Sequence, residues 1–231
     1  KKHKASSLNS VDNHNRRLTE TINADPSKIH QRLVGKNIST RDLVNKRLKN
    51  ANIKKYRKDA VVAVEIVLTA SPEYFRPESP KSYGSYENER VESWLKATKE
   101  FLKKKYRKEL VEVNLHLDEA TPHLHVIVVP VVKKPRKKRQ SKKDKELLKP
   151  PIITSEYKLC AKDMFNRKSL IALQDEYAES LKHLGLERGI HKSKAHHQTI
   201  KKYYESANNS ISIKSLKSEY QKSFSDSDLS L

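Results

Sequence analysis

The chain has 231 residues, enough for one large domain or two small ones with a real core. Its 49 Lys and Arg against 28 Asp and Glu leave a net charge of +21, the footprint of a polyanionic partner, with nucleic acid first. A single cysteine, Cys160, excludes a disulfide framework and a CxxC zinc site, and no apolar run approaches the ~18 residues of a membrane-spanning helix. The N-terminus is too polar for a secretory signal, so a reducing cytoplasm without membrane insertion is expected. An anionic membrane surface fits less well, because no basic helix carries a clean apolar face with Trp or Phe anchors.

In chain order, the first element is a short helix over Thr40 to about Asn50, with Thr40 as N-cap. Asp59–Thr69, DAVVAVEIVLT, is β-branched and nearly all apolar, and reads as a central strand covered on both faces. Its one charge inside the run, Glu65, shares a face with Ala63, Val67 and Thr69. Residues 85–108 follow helical spacing, with Val91, Trp94, Leu95, Thr98, Leu102 and Tyr106 on one stripe. Residues 110–117 alternate: Val111, Val113, Leu115 and Leu117 face one way, Asn114 and His116 the other. Residues 123–132 form another strand. The tract KKPRKKRQSKKDKELLKPP at 133–151, rich in Lys and Arg and ended by two prolines, reads as a loop or excursion. Leu170, Leu173, Tyr177, Leu181 and Leu184 make an amphipathic helix over 169–184, closed by Gly185. The serine-rich end reads as linker plus the start of a further helix, and no internal repeat is present. Strands joined by hairpins and mixed with helices predict an α+β fold with a central antiparallel sheet.

The stretch HLDEATPHLH at 116–125 holds three histidines and two carboxylates in ten positions. His123 and His125 are two apart on a strand, so both project from one face, and a tight hairpin puts His116 on that face too. Pairing His116 with His125 sets Asp118 opposite His123 across a four-residue loop. Three converging neutral imidazoles suit one divalent metal ion and leave positions open for water or substrate. The spacing is not the i, i+4 pattern of HExxH zinc enzymes. Asp118 and Glu119 stand as ligands, orienters of the imidazoles or a general base, and spacing does not choose among them.

HLDEATPHLHV followed by VVP resembles the metal-binding signature of the Mob/Pre plasmid mobilisation relaxases, the MobV group of the HUH endonucleases. Other blocks agree in order: His14-Asn15-Arg16-Arg17 with Thr21 and Asn23-Ala24-Asp25-Pro26, then Glu65 and Thr69-Ala70-Ser71-Pro72-Glu73, then Leu186-Glu187-Arg188-Gly189 with Ser193-Lys194-Ala195 and His197. The resemblance spans roughly residues 1–205, leaving 206–231 as linker or a further helix. It departs at Ile22, where the family has Pro, and upstream of His14, where the family has its first strand and only Lys1–Ala5 remain. That strand is therefore expected to be truncated, in keeping with a chain that opens on Lys rather than Met.

The resemblance implies a bacterial, plasmid-encoded enzyme that nicks one strand at an origin of transfer, holds the 5′ phosphate covalently and leaves a 3′-OH. It implies His14 as nucleophile, Arg17 as phosphate binder or imidazole orienter, and Glu119 as general base or partner of His14. It implies metal ligands His116, His123 and His125, with Asp118 and Glu65 as outer partners or alternative ligands. Mn or Mg ranks first, then Zn, Ni or Co. DNA contacts are expected from Lys133, Lys134, Arg136, Lys137, Lys138 and Arg139 in the basic tract, and from Arg188 and Lys194. The partner is single-stranded or hairpin origin DNA, with a conjugative coupling protein or self-association through a missing C-terminal region as further candidates. One rival is a rolling-circle initiator or HUH transposase with a tyrosine nucleophile, drawn from Tyr203, Tyr204, Tyr83 and Tyr86. The other is a metal-stabilised DNA-binding module without catalysis.

Overall fold

The computed structural model describes residues 1–19, 21, 24–28, 30–35, 37–137 and 153–191. Contacts cluster into one unit over Lys1–Arg188 and a second over Gly189–Leu231, of which only residues 189–191 are described. The boundary expected at 205 lies outside the described residues.

Five antiparallel strands form the main sheet: β1 (Lys2–Lys4), β2 (His30–Val34), β3 (Val61–Thr69), β4 (Leu110–His116) and β5 (His123–Val128). Their spatial order is β1-β3-β5-β4-β2, so β5, which bears both His123 and His125, lies at the centre. Lys2–Lys4 supplies a three-residue edge on β3, where the sequence leads to a shortened strand. The fold is α+β, as expected.

Strand alternation gives the sheet two unlike faces. One is apolar only at one end, where Ala63, Val111 and Ile127 meet Leu8 and Val11 of α1 (Leu8–Asn15) and Leu43, Val44 and Leu48 of α2 (Thr40–Asn50). Its remainder carries His116, His123, His125, Glu65, Glu112 and Asn114, which have the parity of Ile127. On the other face Val64, Leu68, Val113, Leu115, Leu124 and Val126 pack with the short α3 (Pro72–Phe75) and with α4 (Asn88–Tyr106). Two further helices, α5 (Ala161–Met164) and α6 (Arg167–Leu181), add Ala161, Leu173 and Leu181 to this layer. Trp94, Phe75 and Leu102 are fully buried within it, and the Trp94 indole N–H donates to the Tyr177 hydroxyl at 3.0 Å.

Several expectations change in detail. The second strand of the histidine hairpin stops at Val128, since Pro130 has no N–H to continue the ladder. The chain then enters β6 (Val131–Lys137), which pairs with β7 (Ile153–Leu159) as a separate two-stranded sheet. The start of the basic tract is therefore strand rather than loop; residues 138–152 lie outside the described residues. The N-cap of α2 is Ser39, whose hydroxyl accepts from the Asp42 N–H at 3.1 Å, and Thr40 is fully buried instead. Strand β3 is not covered on both faces, because Val67 is 54% exposed beside His125. Helix α6 begins with an Asn166–Ser169 capping box and its 3-10 end stops at Gly185 in the left-handed region (φ 75°), the C-terminal glycine that the sequence marks.

Candidate metal centre and active site

His116 pairs with His123 and Asn114 with His125, so the hairpin register is displaced by two residues from the one expected. An even displacement keeps every side chain on its face. The imidazoles therefore still converge, and the turn lengthens to residues 117–122. Ring centroids of His116, His123 and His125 lie 4.7–5.2 Å apart. A fourth ring, His14 from the last turn of α1, stands edge-on to His116 at 5.6 Å and to His125 at 5.1 Å. Among the described residues, ligand atoms of His14, His116 and His125 lie within 4.8 Å of one another, as do those of His116, Glu119 and His123.

Hydrogen bonds orient two of the rings. His123 Nδ1 lies 2.9 Å from the Thr121 carbonyl oxygen, and His125 Nδ1 lies 2.9 Å from Glu65 Oε1. In each case the N–H donates through Nδ1 and leaves the Nε2 lone pair facing the cluster. His116 is fully buried, and its Nε2 has no hydrogen-bond partner. A buried polar nitrogen costs roughly 1–3 kcal/mol when left unpaired, and a cation at this point would remove that penalty. The residues thus fit a divalent ion: three imidazoles, adjacent carboxylates and one orphaned ligand atom.

Burial favours the neutral form of His14, His116 and His123. Burial pushes His116 down to about 4, with His125, Arg17 and His123 adding to the fall against an opposing pull from Glu119. Burial also lowers His123. His14 is lowered by burial, then by the His125 and Arg17 charges. Burial alone would raise the Glu65 carboxyl, but bonds from His125 and from His3 hold it far below the carboxylate range.

His3 is a site residue that no sequence pattern marks. It is almost fully buried in β1, with Nε2 3.0 Å from Glu65 Oε2 and Nδ1 3.3 Å from the Ser7 hydroxyl. Glu65 therefore bridges two imidazoles, one at the cluster and one behind it.

Arg17 lies beyond the end of α1 rather than on it, at φ 52°, a left-handed conformation unusual for a residue with a side chain. Its guanidinium grips Asp118 with two bonds of 2.7 and 2.9 Å, and reaches Glu119 at 2.6 Å and His116 Nδ1 at 3.1 Å. It also lies 3.4 Å from the His14 carbonyl oxygen, so one side chain ties the His14 turn to the hairpin turn. Burial would raise Asp118 and Glu119, but Arg17, joined by His116 at Glu119, holds both carboxyls down. A carboxylate so acidified is a better ligand or orienter than a base.

Beneath α1 runs a second polar cluster that the sequence did not reveal. Arg32 from β2 donates to Asp12 Oδ1 and to Glu112 Oε1, each at 2.9 Å, and to Asn114 at 3.0 Å. Thr40 donates to Glu112 Oε2 at 2.6 Å, and Asn15 reaches Glu112 at 3.3 Å. Glu112 and Asn114 are fully buried. Asp12 and Asn15 flank His14 on α1, so this cluster fixes the helix that presents it. The one signal in the sequence was the parity of Glu112 with Asn114 and His116; strand β2, which brings Arg32, carried none.

The expected DNA contacts fall in three groups. Lys133 is exposed, Lys134 pairs with Asp163 at 2.5 Å, and Arg136 pairs with Glu156 at 3.0 Å. Arg188 binds Asp175 and Gln174 of α6. The Lys137 side chain, Lys138, Arg139 and Lys194 lie outside the described residues, as do Tyr203 and Tyr204. Of the rival tyrosines, Tyr83 is 68% exposed, and the next residue, Gly84, donates its N–H to the Ala120 carbonyl at 3.0 Å. The fold thus brings Tyr83 beside the hairpin turn, which no spacing along the chain indicates.

The plasmid recombination enzyme family, Mob_Pre, matches residues 1–205. A 65 kDa protein of Zymomonas mobilis is 31% identical over 220 residues, covering 92% of this chain and 32% of that protein. A plasmid recombination enzyme of Bacillus thuringiensis is 28% identical over 204 residues, 84% of this chain and 39% of its own length. The chain thus spans about a third of the length of these relatives. Among solved structures, the MobM relaxase domain bound to plasmid pMV158 oriT DNA, a Mn-bound crystal structure, superposes with a TM-score of 0.67 at 23% identity. That match covers 89% of this chain and 96% of the other, and shows a shared fold. A second MobM structure, bound to 22-nucleotide oriT DNA carrying a 3′ thiophosphate, gives 0.67 at 24% identity over 89% and 95%. With its family model matched from the first residue through the histidine hairpin to residue 205, this chain belongs to the Mob_Pre family of plasmid recombination enzymes.

Proposed function

We propose that the chain is a relaxase domain that nicks one DNA strand at a plasmid origin of transfer, with His14 as nucleophile and His116, His123 and His125 as metal ligands. The observation that carries this reading is the gathering of four imidazoles, one of them on a separate helix and standing edge-on to two of the others. MobM, of the same fold, is Mn-bound and holds oriT DNA, which favours Mn and origin DNA here.

His14 attacks as the neutral imidazole, the form that burial and the neighbouring positive charges favour. The lone pair of one ring nitrogen forms a bond to phosphorus as the bond from phosphorus to the 3′ oxygen breaks, and the proton that the other ring nitrogen then gives up balances the one gained by that oxygen as a 3′-OH. The product is a phosphoramidate to the 5′ phosphate, labile enough for the strand to be returned. His116, His123 and His125 would hold a divalent ion, which would supply positive charge against the charge that develops on the phosphate. Arg17, Asp118 and Glu119 hold the His14 turn against the hairpin, with Glu119 poised as an additional ligand or orienter. The exposed basic side chains contact the DNA backbone.

The adduct tests the reading. His14→Ala should abolish both nicking and the covalent protein–DNA complex while Mn binding and origin affinity persist within about two-fold. His125→Ala should lose Mn binding and nicking together. The wild-type linkage should be acid-labile and alkali-stable. The exposure of Tyr83 beside the hairpin turn favours a second reading, a tyrosine nucleophile. An acid-stable adduct lost in Tyr83→Phe would establish it in place of the first. Loss of Mn binding in His14→Ala would instead make His14 a ligand.

A further inference from the structure

We propose that a concave basic surface at the far end of β3 is a second DNA site, which takes a run of single-stranded DNA outside the reaction centre. The site rests on the DNA reading above only for the identity of its polyanion.

The groove arises where two chain segments diverge from the sheet. Helix α2 ends at Asn50, and Asn52 takes the left-handed conformation (φ 59°) that turns the chain away. Residues 52–57 then form one wall. The other wall is the end of β7 with the start of α5, displaced from the main sheet because the chain leaves it at Pro130. Between them lies a space of about 610 Å³ that reaches Val61, the first residue of β3. His125 pairs with Val67, six residues further along β3, so the Val61 end of the groove lies roughly 20 Å from the imidazole cluster at ~3.3 Å per residue, and its nearest lining residue, Lys2, pairs with Val64. It is a separate place.

Its chemistry is that of a polyanion groove. Lys54, Lys55 and Arg57 line one wall, and the other carries Lys162 and Lys158, the latter paired with Glu156 at 2.7 Å. The sole acid among the described lining residues is Asp59, which is paired with Arg57 at 3.7 Å. One exposed tyrosine stands on each side, Tyr56 (41% exposed) and Tyr157 (51%). Across the β6–β7 ladder Tyr157 faces exposed Lys133, so the positive surface continues onto the hairpin. Cations that track a backbone, interleaved with aromatic rings open to solvent, match single-stranded DNA, whose unstacked bases have faces to give. A duplex keeps its bases stacked and would use the lysines alone. A membrane surface would need apolar anchors rather than a concave wall of cations.

The test is anisotropy of a labelled dT20 oligonucleotide in EDTA, which removes nicking from the readout. Tyr56→Ala with Tyr157→Ala should weaken dT20 binding about ten-fold or more and leave binding to a 20-base-pair duplex within two-fold. Tyr56→Phe with Tyr157→Phe should restore dT20 binding, since a phenyl ring still stacks. Lys54→Ala with Lys55→Ala should reduce the slope of log K against log salt by up to about 1.4, at ~0.7 per single-strand phosphate. All variants should still cut a short oligonucleotide confined to the nick region. Unchanged dT20 affinity in the alanine pair overturns the proposal, as does equal loss for duplex, or a loss confined to phosphatidylserine vesicles. A wild-type protein that cuts no DNA yet shows the tyrosine effect refutes the nicking reading and leaves the groove standing. Active nicking with unchanged dT20 affinity does the reverse.

Discussion

Glu65 shows how one buried carboxylate sets the state of several neighbours. It accepts from His125 Nδ1 on one oxygen and meets His3 on the other, and burial alone would make its charge unfavourable. The charge survives because both imidazoles bond to it, and in return it fixes the His125 tautomer with Nε2 toward the cluster. Glu65→Gln keeps the shape and an acceptor but removes the charge, so Mn affinity should fall about 10- to 100-fold. Calorimetric titration of the purified protein with Mn checks this, and an unchanged affinity would detach Glu65 from the centre. The pairing also shows what a single strand pattern reveals. His116, His123 and His125 fall together because alternation within two adjacent strands puts them on one face. His3 and Glu65 are separated by 62 positions, and only the pairing of β1 with β3 joins them. No local period connects such residues, so the cluster was legible from strand alternation, Glu65 only through the family resemblance, and His3 from neither.

At the scale of elements, α1 must sit rigidly over the sheet for His14 to face the other rings, and the Arg32–Asp12–Glu112 cluster holds it there. Asp12 accepts from Arg32 and from both the N–H and the hydroxyl of Thr40. Burial opposes its ionisation, yet these bonds leave its carboxyl below the usual value. A carboxyl lowered on folding stabilises the native state above its unfolded pKa of ~3.9, and that contribution vanishes as pH falls through the lower, folded value. Asp12→Asn should therefore destabilise the protein by roughly 1–3 kcal/mol at pH 7 and by less near pH 2. Urea unfolding at the two pH values checks the sign; an equal loss at both would remove the charge from the account. Helices α4 and α6 were legible because their apolar stripes are long, and the glycine after α6 marks its end. Strand β2 was not, since HQRLV has no alternation of apolar residues and lies at the sheet edge. The break at Pro130 was written in the sequence but hidden by the apolar run on both sides of it.

For the whole molecule, the net charge of +21 is the excess of bases that would remain even if all 28 acids were paired, so internal ion pairs leave it uncompensated. Some basic residues are paired internally: Arg32 with Asp12 and Glu112, Arg47 with Glu109, and Arg188 with Asp175. Others, such as Lys133 and the groove residues Lys54 and Lys55, are exposed. Each phosphate they neutralise releases a counterion, so log K for DNA should fall linearly with log salt, by roughly 0.7 per contact for a single strand and 0.9 for duplex. A footprint of about six to ten phosphate contacts predicts a loss of about 10³–10⁵ in affinity between 50 and 200 mM salt. Internal pairs should not contribute, so Arg188→Ala should cost stability but leave the slope unchanged, while Lys133→Ala should lower it by up to one contact. Origin DNA titrated at several salt concentrations measures both effects. A slope near zero would mean that shape and base contacts, rather than this charge, carry the binding, and a slope changed by Arg188→Ala would return that residue to the DNA-contacting set.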